Sequence, residues 1–176
     1  MRPFQTWCSV PCGSVLAEQK LAKKKRADAK VERVKTKEKL DKLKGRSKWA
    51  KEAQAAVNKF IRLRDADQPC ISCGRYHQGS YDAGHYLSVG ARPELRFDEL
   101  NIHKQCVPCN QHLSGNVVNF RKGLLIRIGA ESVAYLEGPH EPKKYTIDEL
   151  KAIIRAAQTA PPVSIVLSAR AARGAQ

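Results

Sequence analysis

Two CxxC pairs, Cys70-Ile71-Ser72-Cys73 and Cys106-Val107-Pro108-Cys109, bracket a stretch that holds Asp82, His85, Asn101 and His103. The second pair runs straight into Asn110-Gln111-His112. Four deprotonated sulfurs suit one Zn²⁺ ion in tetrahedral geometry, and a filled shell leaves no position for chemistry. Each CxxC folds back within four residues, which brings its two sulfurs together. The gap of 32 residues between the pairs exceeds the usual zinc-ribbon spacing, so the insertion must carry structure of its own. Two disulfides, or buried free thiols, are the alternatives. His77 is a further nitrogen that could replace one cysteine as a ligand.

Between the cysteines lie the groups needed to hydrolyse a phosphodiester: an activated water, neutralisation of phosphate charge and help for the leaving oxygen. A histidine that is neutral near physiological pH suits the first task, and His85 is the candidate base. A hard cation such as Mg²⁺ or Mn²⁺ suits the other two and takes oxygen ligands. Asp82, Asn110 and Asn101 offer them. His103 and His112, on either side of the second pair, could orient substrate or add a nitrogen. Singly, each residue means little: a loop histidine is more often structural, an Asp often makes a turn, and Asn110 could merely cap a knuckle. Together, in a basic chain, they point to a metal-dependent nuclease centre built on a structural zinc.

The chain has 176 residues, 42% hydrophobic but only 6% aromatic, and a net charge of +15 from 32 Lys and Arg against 17 Asp and Glu. A small core and a polyanionic partner follow, and nucleic acid is the expected one. Eighteen Lys and Arg against seven Asp and Glu lie between Glu18 and Asp65. The charge is therefore concentrated ahead of the cysteines, and Lys23, Lys24, Lys25, Arg26, Lys48 and Lys51 are the candidate phosphate contacts. No apolar run approaches ~20 residues, so no membrane span is expected. Without a secretory pattern at the start, and with CxxC pairs rather than a disulfide framework, a reducing cytoplasm is expected.

The elements that must position these groups can be read in outline. Residues 1–13 hold Cys8 and Cys12 beside Trp7, half of a possible metal finger. Residues 14–46 form a basic helical arm, with Ser14 as cap and Gly45 as stop. A nuclease domain is expected over 47–158 and a flexible tail over 159–176. In the domain, Trp49, Ala53, Val57, Phe60 and Ile61 recur at three- and four-residue steps, the stripe of a packed helix. Ala83–Val89 and Arg92–Phe97, split by Gly90-Ala91, suggest a β-hairpin. A further helix follows Ser114-Gly115-Asn116 and ends at Gly129. The capping box Thr146-Ile147-Asp148-Glu149 opens the last one, and Pro161-Pro162 stops it.

The blocks Asp82-Ala83-Gly84-His85-Tyr86, Leu95-Arg96-Phe97, Asn101-Ile102-His103-Lys104-Gln105-Cys106 and Cys109-Asn110-Gln111-His112-Leu113-Ser114-Gly115-Asn116 closely resemble those of the phage NinG (Rap) proteins. These are recombination endonucleases of the HNH, or ββα-metal, superfamily. The resemblance spans roughly 47–158. It implies an α+β fold with a small zinc-stabilised ββα-metal core, flanking helices and a long basic N-terminal helix. It also implies an enzyme that cuts branched recombination intermediates, Holliday junctions and D-loops, and leaves 5′-phosphate and 3′-hydroxyl ends. His85 matches the superfamily's general base. Asn110 matches the metal-binding asparagine that follows the last zinc cysteine in phage endonuclease VII. Asn101 matches the asparagine that pins the loop. Asp82 stands three residues before the base, whereas most relatives place the metal ligand immediately before it, where this chain has Gly84. His112 falls near the third superfamily position. Relatives carry two cysteine pairs ahead of the basic helix, and Trp7–Gly13 resembles the second alone. A homodimer would suit the near two-fold symmetry of a four-way junction. The rival reading is a non-catalytic, zinc-stabilised DNA-binding protein.

Overall fold

The computed structural model describes Trp7 and residues 9–160. Cys8 and residues 161–176 of the expected tail lie outside the described residues. The chain divides into two compact units, one ending at Gly45 and the other beginning at Arg46.

The first unit is a helix, α1, over Val10–Leu43. At 1.5 Å per residue it is roughly 51 Å long. It starts earlier than expected. Ser9, not Ser14, is the N-cap and accepts the Cys12 N–H at 3.4 Å, and Pro11 suits the first turn, where its missing N–H goes unneeded. Cys12 therefore sits inside the helix rather than in a separate finger segment. The Ser14 hydroxyl instead bonds back to the Val10 carbonyl. None of the helix's residues is buried, and eleven Lys and Arg against five Asp and Glu line it. With no packed face, its helicity rests on propensity and length.

The second unit opens with α2, Arg46–Arg64, whose buried residues are Trp49, Ala53, Val57, Phe60 and Ile61, the stripe read from the sequence. A two-stranded antiparallel sheet follows, β1 Tyr81–His85 against β2 Ile102–Cys106, in register from Tyr81 opposite Cys106 to His85 opposite Ile102. The expected hairpin partner, Arg92–Phe97, is not a strand. Pro93–Leu95 is a 3-10 turn, since Pro93 has no N–H for a ladder. The sheet's second strand comes instead from a segment whose polar residues hid it. Pro108–His112 forms one π-helical turn. Helix α3, Val117–Glu137, is broken at Gly129, whose φ of 80° is left-handed. The capping box on Thr146 and Glu149 opens α4, Ile147–Thr159.

Three apolar clusters hold these elements. Val57, Phe60 and Ile61 of α2 meet Ala83 of β1 and Ile102 of β2. Trp49 and Ala53 meet Leu150 of α4. Ile71, Tyr86 and Leu95 meet Phe120, Leu124, Val133 and Leu136 of α3. Among the described residues no helix is long and apolar enough to cross a membrane. The unit is thus a mixed α+β fold in which one face of the sheet packs on α2.

The burial pattern sets the stability response. Phe120→Ala, at a fully buried site, should cost about 3–5 kcal/mol in urea unfolding. Ile126→Ser, on the same helix but 89% exposed, should stay within about 0.5 kcal/mol. Equal losses would contradict this packing.

Candidate metal and nuclease site

Cys70 and Cys73 sit in the turn after α2, closed by Gly74 N–H to the Cys70 carbonyl and Cys70 N–H to the Arg75 carbonyl. The Ile71 N–H donates to the Lys104 carbonyl at 3.1 Å, which stitches the turn to β2 just before Cys106. Cys109 lies in the π-turn. The four sulfurs are all within 4.8 Å of one another. All five described cysteines are free, and the 3.9 Å between Cys73 and Cys106 Sγ is far beyond a disulfide bond. Each of three sulfurs has an N–H or imidazole neighbour. Cys70 accepts from the Cys106 N–H at 3.3 Å, Cys109 accepts from Asn116 Nδ2 at 3.4 Å, and His77 Nε2 lies 3.2 Å from Cys73.

Thiol acidity divides within the cluster. Burial raises the Cys70 thiol, but the N–H groups of Cys106, Cys73 and Ser72 outweigh it and bring it down. Burial pushes Cys106 and Cys109 up. Four thiolates held this close together require a cation. Soft, mutually close sulfurs with no competing oxygen are the donor set of a closed structural site, and zinc fits it.

Beside this knot the structure brings Asp82 and Asn110 together. Asp82 pairs across the sheet with Gln105, one step from Cys106. Asn110 Nδ2 donates to Asp82 Oδ2 at 2.8 Å, and Gln111 Nε2 donates to the same oxygen at 2.8 Å. The π-turn, closed by the Leu113 N–H on the Pro108 carbonyl at 3.0 Å, presents both amides; such turns recur at functional sites. Gln111 is a contact that the sequence reading missed. Its only signal was its place in the polar run after Cys109.

His85 is held differently. Its Nε2 lies 3.0 Å from the Arg96 carbonyl oxygen. A carbonyl only accepts, so Nε2 carries the proton and Nδ1 of the neutral ring keeps its lone pair. Burial lowers the imidazole's pKa, the Arg96 charge lowers it further, and the carbonyl contact opposes both. Alternation along β1 puts Ala83, which packs on α2, and His85 on the face opposite Asp82. His85 bonds to the loop and not to Asp82 or Asn110.

Asn101 is fully buried. Its Nδ2 donates to the Leu87 and Leu95 carbonyls and its Oδ1 accepts the Leu87 N–H at 2.8 Å. It pins the loop that carries Arg96, and the oxygen that the sequence offers as a cation ligand is buried and accepts the Leu87 N–H. His103 is not an accessible accessory group either. It is 3% exposed, with Nε2 on the Leu100 carbonyl and Nδ1 beside Arg64 Nη2, and burial lowers its pKa. Arg64 also grips both oxygens of buried Asp65, which accepts the Lys104 N–H. Burial raises Asp65's carboxyl, but His103, Arg64 and that N–H hold it well below the usual range. His112 is exposed at the end of the π-turn, as are Lys23, Lys24, Lys25 and Arg26 on α1 and Lys48 and Lys51 on α2.

The family model described as "Bacteriophage Lambda NinG protein" matches residues 1–161. Protein ninG of Escherichia phage lambda is 48% identical over 160 residues, 85% of this chain and 78% of that protein. Protein ninG of Salmonella phage P22 is 48% identical over 160 residues, 85% and 79% of the two chains. That of Enterobacteria phage H19B is 58% identical over 111 residues, 63% of this chain and 55% of its own. No solved structure matches.

Because metal binding at four thiolates is coupled to folding, Cys106→Ser should lose zinc and the dispersed amide spectrum of the folded second unit together. A natively folded, metal-free Cys106→Ser protein would contradict the structural role of the knot.

Proposed function

We propose that this chain, which belongs to the bacteriophage NinG family, is a divalent-metal-dependent DNA endonuclease of the HNH, or ββα-metal, type that cuts branched recombination intermediates. The observation that carries the reading is the meeting of Asp82 and Asn110 at 2.8 Å, next to a cysteine cluster that can hold zinc. A carboxylate and an amide drawn together from 28 residues apart form an oxygen-donor pair that a structural zinc site by itself does not need. The net charge of +15 supports a phosphate-backbone partner. The preference for Holliday junctions and D-loops rests on the family resemblance, since charge supplies affinity for phosphate and not recognition of a branch.

Asp82 and Asn110 would hold Mg²⁺ or Mn²⁺, which would neutralise phosphate charge and stabilise the leaving oxygen. His85 supplies the base. With Nε2–H donated to the Arg96 carbonyl, Nδ1 takes the proton of a water. The hydroxide attacks phosphorus in line, and the 3′ oxygen leaves to give a 5′-phosphate end. Asn101 acts at one remove, by fixing the loop that orients the imidazole. The exposed lysines and arginines of α1 and α2 hold the backbone, and their contribution weakens as salt rises. A non-catalytic DNA-binding protein would use the same charge and the same zinc, but it would leave Asp82, His85 and Asn110 without a task.

His85→Ala should lose at least about 10²-fold in cleavage rate while still shifting a four-way junction in a gel. Cleavage at the wild-type rate would remove His85 from the mechanism. Because His85's pKa is depressed, the base form persists to lower pH than an ordinary imidazole allows. The acid limb of kcat/KM should therefore fall below pH 6.5, the ordinary value, and a limb above that would contradict the buried base.

A further inference from the structure

We propose that Gln111 is a third oxygen ligand of the divalent ion, alongside Asp82 and Asn110; this inference rests on the nuclease reading above. Gln111 Nε2 and Asn110 Nδ2 both stand 2.8 Å from one oxygen, Asp82 Oδ2. Consecutive side chains on a helix normally diverge by about 100°, so two of them rarely meet the same atom. Here the wider π-turn over Pro108–His112 and the extra methylene of glutamine bring both amides to the carboxylate.

Satisfying Asp82 does not explain the convergence. Asp82 is only half-buried, and Gln111 is exposed, so water could serve the carboxylate equally well. Ordering a long exposed side chain costs conformational entropy that burial does not offset here. What the cluster has in common is amide chemistry. A half-turn about the last torsion exchanges the amide nitrogen and oxygen with little change in position. Asp82 can then offer a carboxylate oxygen, Asn110 its Oδ1 and Gln111 its Oε1. Three oxygens from two adjacent elements suit a small hard cation, which keeps its other positions for water and phosphate. Only one of the three ligands is charged. The loaded site would therefore remain electropositive toward a phosphodiester.

The competing role for Gln111 is that of a buttress, donating N–H to hold the carboxylate in place. The two roles respond oppositely to a negative charge at residue 111. A ligand tolerates Gln111→Glu, because carboxylate oxygens bind the ion at least as well. A buttress does not, because the new carboxylate repels Asp82. Gln111→Met removes both the oxygen and the N–H at similar size.

The experiment titrates Mn²⁺ into the full-length, zinc-loaded chain and follows the free-ion signal by electron paramagnetic resonance. It compares wild type with Gln111→Met, Gln111→Glu and Asp82→Ala, with zinc content and circular dichroism recorded for each. We expect Asp82→Ala to abolish specific binding, Gln111→Met to raise Kd at least about tenfold, and Gln111→Glu to bind as tightly as wild type or tighter. Wild-type affinity in Gln111→Met, or weakening by Gln111→Glu as well as by Gln111→Met, would overturn the ligand role while leaving Asp82 and Asn110 in place. Mn²⁺ binding that also survives Asp82→Ala would put the ion elsewhere, and the ion-binding part of the nuclease reading would fall with it.

Discussion

Four sulfurs must be held within a few ångströms of one another, and the rest of the second unit is arranged around that requirement. Cys70 and Cys73 belong to a turn at the end of α2, Cys106 to the last position of β2, and Cys109 to the π-turn beyond it. A single ion bound there would tie the helix, the sheet and the segment that presents Asn110. None of the three apolar clusters includes a residue of the π-turn that carries Asn110. In a chain with few aromatics, much of the local order near Asn110 depends on the knot, because metal binding and folding share one free energy. The register follows as well. Tyr81 opposite Cys106 places Asp82 one step along the strand, within reach of the first residue after Cys109.

A second constraint is polar. Asn101, His103, Lys104 and Gln105 are all buried, and each has hydrogen-bonded partners. Lys104 Nζ reaches the Ala66 carbonyl, and Gln105 Nε2 reaches Ser72 and Gly115. Asp65 and Arg64 tie α2 to β2 from below. Such groups are costly when left unpaired and specific when satisfied. They transmit position to the candidate site. Asn101 fixes the loop, the loop fixes the Arg96 carbonyl, and that carbonyl orients His85.

The same polar burial explains what sequence reading recovered and what it missed. The α2 stripe was legible because five apolar residues recur at helical spacing and nothing competes with them. Thr146 with Glu149 and the break at Gly129 were legible because caps and left-handed glycines act locally. Strand β2 was not. Ile102-His103-Lys104-Gln105-Cys106 shows no apolar alternation, since its burial is supported by partners 30 to 40 residues away such as Asp65 and Ser72. Pairing therefore went to Arg92–Phe97, whose composition looked better and whose proline forbids it. Among site residues, the cysteine spacing signalled a metal knot directly. Asp82 and Asn110 stood out by type, but their contact depends on a register that could not be read. Gln111 has no motif to mark it, and in the sequence the fully engaged amide of Asn101 is indistinguishable from any other oxygen donor.

In the proposed mechanism the imidazole of His85 and the oxygens of Asp82 and Asn110 serve one phosphate, although His85 and Asp82 lie on opposite faces of β1. Three strand steps separate the two residues by roughly 10 Å along the backbone, the span that a phosphodiester with its attacking water has to bridge. The most direct measurement is paramagnetic broadening of the ring resonances of selectively labelled His85. It would be recorded in zinc-loaded protein bound to a four-way junction with uncleavable phosphorothioate linkages, as Mn²⁺ replaces Mg²⁺. The His85 ring signals should broaden beyond detection as Mn²⁺ enters and stay sharp with Mg²⁺ alone. A sharp His85 signal at saturating Mn²⁺ would show that the base and the ion do not share a phosphate.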